Sequence, residues 1–157
     1  MGQVLRELDL INRVKEIKAL GKLIGLTNGC FDILHIGHIE SLKLAKNQCE
    51  CLIVLVNSDL SVQELKGKNR PIINETDRCE LLASLIYVDY VGLFNETTPK
   101  RLISLIKPDI YFKGSDYDLT KLPESKIVET YGGKIVSLNF LPNNSTSNII
   151  NKIKSLS

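Results

Sequence analysis

A chain of 157 residues, 43% hydrophobic and 24% charged with a formal charge of only +2, is long enough for one domain with a real core and too short for two ordinary ones. That balance argues against a polybasic nucleic-acid binder, and no apolar run approaches the roughly 20 residues of a membrane span. The opening MGQVLRELDL has acidic residues where a secretory signal would be apolar, and the four cysteines include no CxxC pair, so reduced thiols in a cytoplasmic protein are expected.

In chain order, residues 1–21 read as an amphipathic helix that precedes a domain over 22–157. LIGLT (23–27) is the first expected strand, and 38–47 the next helix, carrying Ile39, Leu42, Leu44 and Ala45. CLIVLVN (51–57) is a second strand. Residues 76–87 then place Leu81, Leu82, Leu85 and Ile86 on one side of a helix behind Thr76 and Asp77. VDYVGLF (88–94) is a third strand, and Thr98-Pro99 opens a helix as cap and N1 proline. DIYF (109–112) is a fourth, followed by a helix over about 123–130 that ends at Gly132-Gly133. KIVSLNF (134–140) is a fifth, and Ser145 or Thr146 caps a last helix through Ile149, Ile150 and Ile153.

Such strands are β-branched, aromatic or continuously apolar, as strands covered on both faces are. Strict alternation with helices predicts an α/β fold: a doubly wound, Rossmann-like sheet of five parallel strands flanked by helices, with the extra N-terminal helix beside it.

Open parallel sheets bind ligands at the carboxyl ends of their strands, near the point where strand order reverses. Each polar cluster follows a strand: Asn28-Gly29-Cys30-Phe31-Asp32, Asn57-Ser58-Asp59, Asn95-Glu96-Thr97-Thr98, Lys113-Gly114-Ser115-Asp116 and Asn143-Asn144-Ser145-Thr146-Ser147. Turn chemistry alone favours these residue types. The chain's two histidines, His35 and His38, are more specific. They fall in the turn after the first strand and at the start of the next helix, where free N–H groups and the helix dipole favour anions. Gly37 between them has no Cβ to hold a phosphate away. Two imidazoles there suit a polyphosphate, whose charge would help keep one of them protonated. A metal site joining Cys49 and Cys51 to the histidines is disfavoured, because Cys51 begins an apolar strand and zinc ligands usually come in CxxC-type pairs.

At these residues the sequence resembles the cytidylyltransferase-like nucleotidyltransferases, whose HxGH signature reads His35-Ile36-Gly37-His38 here. Within that family it is similar to the D-glycero-β-D-manno-heptose 1-phosphate adenylyltransferases. TNGCFDILHIGH (27–38), LIVLVNSD (52–59), LKGKNRPI (65–72), VDYV (88–91), ETTPKRLI (96–103), PDIYFKGSDY (108–117), GGKIVSLNF (132–140) and STSNII (145–150) carry the likeness, which runs from about residue 22 to 153.

The resemblance implies in-line attack of a sugar 1-phosphate on the α-phosphorus of ATP, with Mg²⁺ held mainly by phosphates and no protein metal ligand. It gives His35, His38 and Lys68 catalytic roles, and places Cys30, Phe31, Gly37, Lys113, Asp116, Ser145 and Thr146 on the nucleotide. Asp32, Asn57, Asp59, Lys66, Arg70 and Arg78 would bind the acceptor. Some of these have plainer readings: Lys66, Lys68 and Arg70 as a solvated basic loop, Ser145 as an ordinary N-cap, Asp59 and Asp116 as turn residues. Composition points to no membrane or nucleic-acid partner, and the resemblance makes a homodimer possible; many relatives carry a sugar kinase domain upstream where this chain has a short helix, so a separate heptose kinase is expected.

Several positions depart from the family pattern. Asn143 stands for the glycine before a Ser-Thr pair, Ser147 for a threonine, Cys49-Glu50 for Gly-Asp and Ser115 for a second glycine. The competing reading is a cytidylyltransferase for glycerol 3-phosphate or a similar phosphate ester, against which Phe140 stands where those relatives carry arginine. A nucleotide-binding module without chemistry is the alternative of another class. A dehydrogenase lacks the GxGxxG that should follow the first strand.

Overall fold

The run Cys51–Asn57 is the centre of the sheet. In the computed structural model, which describes residues 1–114, 118–138 and 145–156, every residue of this strand is buried. It is β3, after β1 (Gln3–Leu5) and β2 (Ile24–Gly29), and before β4 (Tyr90–Phe94), β5 (Ile110–Gly114) and β6 (Lys134–Leu138). Successive strand residues face opposite ways, so Ile53 and Leu55 enter one apolar layer while Leu52, Val54 and Val56 enter the other.

Helices close both layers. On the first, α1 (Glu7–Ala19), α5 (Lys100–Ile106) and α6 (Ser125–Thr130) supply Leu10, Val14, Ile17, Leu102, Ile103 and Val128. On the second, α2 (Ile36–Lys46) and α4 (Glu75–Ala83) supply Leu42, Ala45, Leu82 and Ala83. Each large apolar side chain so buried contributes about 1.5–3 kcal/mol, so these layers, not surface ion pairs, hold the sheet. Gly92 lets α1 sit close on β4: a Cβ there would lie 2.7 Å from Leu10 Cδ2.

All pairings are parallel, in the order β1-β4-β3-β2-β5-β6. Outward from β2, the chain builds β3 and β4 to one side and β5 and β6 to the other, so strand order reverses between β2 and β5. This is the doubly wound arrangement expected from the sequence, with six strands instead of five. The additional strand, β1, is three residues long and pairs with β4 from Gln3 to Leu5. Three residues carry no readable period.

Other boundaries also differ. The segment after β3, expected as a loop, contains α3 (Asp59–Lys66), capped by Ser58, whose side chain accepts from Ser61 N. Helix α4 begins one residue before Thr76, behind an Asn74 cap, and stops at Ala83. Pro99 occupies the cap position of α5 instead of N1, its carbonyl accepting from Ile103 N at 2.9 Å. A 3-10 turn (Leu119–Lys121) leads into α6, and α7 (Thr146–Lys154) closes the described chain. Among the described residues no helix is long and apolar enough to cross a membrane.

The amino-terminal edge of the sheet is tied by carboxylates. Asp89 Oδ2 accepts from Leu52 N at 2.7 Å and from Lys46 Nζ at 2.5 Å, and Asp109 Oδ2 accepts from Ile24 N at 2.8 Å. The strands are thereby held where they begin, and their carboxyl ends are left to the loops.

Candidate active site

A cleft of about 690 Å³ opens over the carboxyl ends of β2 and β5, at the point of strand reversal. Its floor is the β2 tip and the turn that follows. There Phe31 has φ +48°, a left-handed conformation that costs a bulky residue about 1–3 kcal/mol, and its ring packs 5.2 Å from that of His38. The chain then enters α2 with His35 at the N-cap and Gly37 and His38 in the first turn.

The two imidazoles stack, ring centroids 3.8 Å apart and planes 27° from parallel. Neither Nδ1 has a hydrogen-bond partner, though both are buried. Burial, and secondarily the neighbouring His35, pushes the His38 pKa down to about 4, and burial lowers that of His35 as well. Both rings are therefore neutral near pH 7 in the free protein, and an anion against them would favour protonation. Gly37 is buried within the first turn, where its carbonyl accepts from Ser41 Oγ, and does not line the cleft.

Facing this pair is the head of α7. Ser145 caps the helix, its side chain accepting from Asn148 N, and Thr146 Oγ1 donates to Ile33 O at 3.3 Å. Ser145, Thr146 and Ser147 all line the cleft, so a helix N-terminus and three hydroxyls meet the histidines. From β5, Lys113 Nζ donates to Asn28 Oδ1 at 3.1 Å, and Tyr111 Oη donates to the same oxygen at 2.6 Å. Asn28, expected only as a loop residue, thus joins β2 to β5 at the switch point.

On the β3 side, Asn57 is buried and donates to Ser61 Oγ, while Cys30 Sγ approaches Asn57 Oδ1 at 4.0 Å. Lys66, the last residue of α3, lines the cleft. Beyond it the chain returns as a strap, latched by Asp32. This carboxylate accepts from Ile72 N at 2.7 Å, Ile73 N at 2.9 Å and Arg70 Nε at 2.5 Å. It is 2% exposed, so its oxygens serve the strap and set Arg70 at the rim.

The structure thus brings His35, His38, Cys30, Phe31, Asp32, Asn57, Lys66, Arg70, Lys113, Ser145 and Thr146 around one cleft. Lys68 is exposed and outside the lining. Arg78 is fully buried beneath it, donating to Cys30 O, to Ile73 O at 2.9 Å and to Asp59 Oδ1 at 2.8 Å. It clamps the β2 turn to α3 and the strap, and Asp59 is its counter-ion. Asp116, Ser115, Phe140 and Asn143 lie outside the described residues. Cys51 starts β3 and Cys49 precedes it, at the opposite end of the strand from the histidines.

The sequence reading did not find Glu124. It is 3% exposed and lines the cleft beside Leu122, Pro123 and Leu138. An acidic residue after proline at a helix start looks like ordinary first-turn chemistry, so nothing local singled it out.

Residues 26–152 match the family model described as cytidylyltransferase-like. The chain is similar to the bifunctional protein HldE of Geobacter metallireducens, 45% identical over 150 residues, covering 95% of this chain and 31% of that protein. With HldE of Granulibacter bethesdensis the identity is 47% over 143 residues, 91% of this chain and 30% of the relative. The chain therefore spans about a third of the length of these curated relatives. Among solved structures, a lipopolysaccharide core biosynthesis protein from Thermoplasma volcanium superposes with a TM-score of 0.63 at 31% identity, covering 79% of this chain and all of that one. A pantoate-beta-alanine ligase from Francisella tularensis, at 17% identity, superposes with a TM-score of 0.64 over 99% of this chain and 78% of the ligase, and shows the fold alone.

Proposed function

The chain belongs to the cytidylyltransferase-like family of nucleotidyltransferases, and we propose that it transfers AMP from ATP to D-glycero-β-D-manno-heptose 1-phosphate, giving ADP-heptose and pyrophosphate. The observation that carries this reading is the stacked pair His35 and His38, with both Nδ1 atoms unpartnered, at the head of α2 and opposite the hydroxyl-rich head of α7.

On this reading an oxygen of the sugar phosphate attacks the α-phosphorus. One O–P bond forms as the bond to the β-phosphate bridging oxygen breaks, and pyrophosphate leaves with that electron pair. Such chemistry needs positioning and neutralisation of charge more than a protein nucleophile. His35 and His38 donate N–H groups to the oxygens that gain charge, in a site where burial strengthens each contact. Ser145, Thr146 and the α7 N-terminus hold the terminal phosphates, and Lys113 with Asp116 orients the nucleotide. Cys30 and Phe31 shape the wall against which it lies, and Gly37, buried behind them, lets the first turn of α2 pack closely.

The acceptor enters from the α3 side. Arg70, set by Asp32, makes the two-pronged phosphate contact that guanidinium geometry allows. Lys66 adds charge, Asn57 meets sugar hydroxyls, and the clamp of Arg78 on Asp59 keeps the turn and α3 in register. Lys68 reaches the phosphates if the strap closes. Apart from Glu124, the cleft offers mainly N–H and O–H groups and an Asp32 whose two oxygens are both engaged by the strap, which suits Mg²⁺ that arrives on the triphosphate. Bound in that way, Mg²⁺ supplies further neutralisation of phosphate charge.

The test is pyrophosphate release by purified protein with each of ATP, CTP and GTP against heptose 1-phosphate and glycerol 3-phosphate. Turnover confined to ATP with heptose 1-phosphate is expected. Turnover of CTP with glycerol 3-phosphate alone would replace both substrate assignments, and no pyrophosphate with any pair would favour a binding module.

A further inference from the structure

Glu124 has a position that phosphate chemistry does not explain. Only two acidic side chains line the cleft among the described residues, Asp32 and Glu124. Both oxygens of Asp32 are engaged, by Arg70 and two backbone N–H groups. Glu124 is nearly as buried, yet its Oε2 has no hydrogen-bond partner. Its backbone is fixed: the Glu124 carbonyl accepts from Val128 N at 3.0 Å, and the neighbouring Ser125 Oγ donates to Leu119 O. The side chain stands at the head of α6 without capping it.

A buried acceptor left without a donor is destabilising, and a folded protein tolerates one where a ligand completes it. The charge of that ligand is constrained. A carboxylate repels phosphate, so Glu124 cannot serve the anionic part of a nucleotide, which the imidazoles, Lys113 and the α7 head accommodate. It suits an uncharged part that carries N–H or O–H donors. Its neighbours Leu122, Pro123 and Leu138 give that region apolar walls, a setting for a planar base with one polar edge.

We propose that Glu124 is the specificity-determining residue for the base, its free carboxylate oxygen accepting a hydrogen bond from the exocyclic amino group. An amino-bearing base offers that donor. Uracil presents carbonyl oxygens at the corresponding edge, and the carboxylate repels them. The inference deepens the reading of the cleft as a nucleoside triphosphate site and rests on it. It concerns the amino group, which adenine and cytosine share.

Calorimetric binding without an acceptor sugar tests it, with ATP, purine riboside 5′-triphosphate (identical to ATP save for the amino group), CTP and UTP as titrants. The wild-type protein should bind ATP at least about tenfold more tightly than the purine riboside triphosphate, the size of a hydrogen bond to a charged group. Glu124→Ala should bring the two within about twofold of each other, with a melting temperature at or above that of the wild type because a buried acceptor without a donor has gone. Glu124→Gln keeps a carbonyl acceptor and should retain part of the preference.

An equal preference in wild type and Glu124→Ala overturns the role of Glu124 and leaves adenylyl transfer standing. Absence of any preference in the wild type, or equal weakening of both purine nucleotides by Glu124→Ala, overturns it too, the latter pointing to the scaffold or to Mg²⁺. If CTP binds, UTP does not, ATP does not, and Glu124→Ala admits UTP, then the role of Glu124 is upheld while the choice of ATP falls.

Discussion

The two ends of the sheet treat polar groups differently, although at both a carboxylate ties the backbone, Asp32 latching the strap at the carboxyl end. At the amino-terminal edge, Asp89 and Asp109 accept from the first amides of β3 and β2, and Lys46 completes Asp89. At the carboxyl-terminal edge, His35 Nδ1, His38 Nδ1 and Glu124 Oε2 are buried and unpartnered. The division is not absolute, because Tyr131 Oη on the amino-terminal side is also unpartnered and nothing in the structure explains it. The contrast still teaches where each kind of free energy is spent. Satisfied carboxylates hold strands together, and unsatisfied donors and acceptors wait for a ligand.

The largest expected effect follows directly. His38→Ala should lower turnover by about 10²- to 10³-fold, the usual loss for one donor to developing charge, with the melting temperature nearly unchanged. Steady-state kinetics and a thermal melt check both halves, and a variant that works at the wild-type rate would remove the imidazole from the chemistry. On the opposite edge, Asp89→Ala should do the reverse. It strands the Leu52 amide and Lys46, costing about 1–3 kcal/mol of stability, while turnover at a temperature where the fold persists stays within about twofold. A large loss of turnover in that variant would erase the distinction between the edges.

Acid adds a finer probe. The folded pKa of His38, pushed down to about 4, lies below its ordinary 6.5, so the unfolded chain binds this proton first. Stability associated with His38 is full above pH 6.5 and is lost as pH falls from there toward 4. The wild-type melting temperature should therefore drop more steeply across that window than that of His38→Ala. Parallel slopes would mean that His38 is not held neutral by its surroundings.

Much of this could be read from the residues. CLIVLVN matched β3 from end to end because a fully buried parallel strand is apolar throughout, and the histidines stood out because their helix start and glycine fit an anion. What escaped notice depended on distance or on brevity. β1 is too short to show a period, and α3 buries only Ser61 and Val62, too few to mark an apolar face. The engagement of both Asp32 oxygens rests on partners 38 to 41 residues away, which no local pattern reveals. Glu124 is identified only by the absence of a partner, which needs coordinates.

Smaller effects separate the strap's residues. Asp32→Asn loses charge at the latch and should raise the KM for the sugar phosphate by about tenfold with little change in kcat, since the Arg70 contact is charge-assisted. Lys68→Ala, at an exposed position outside the cleft lining, should cost less than Lys66→Ala. The opposite ranking in steady-state assays would show that the strap closes far enough to exchange the two lysines.

The most direct measurement uses the fact that the chain has two histidines. Imidazole NMR titrations, with and without a non-hydrolysable ATP analogue and Mg²⁺, report on both at once. His38 should titrate near 4 in the free protein and move upward when the triphosphate binds. Imidazole signals that ignore a saturating nucleotide would contradict the account at its centre.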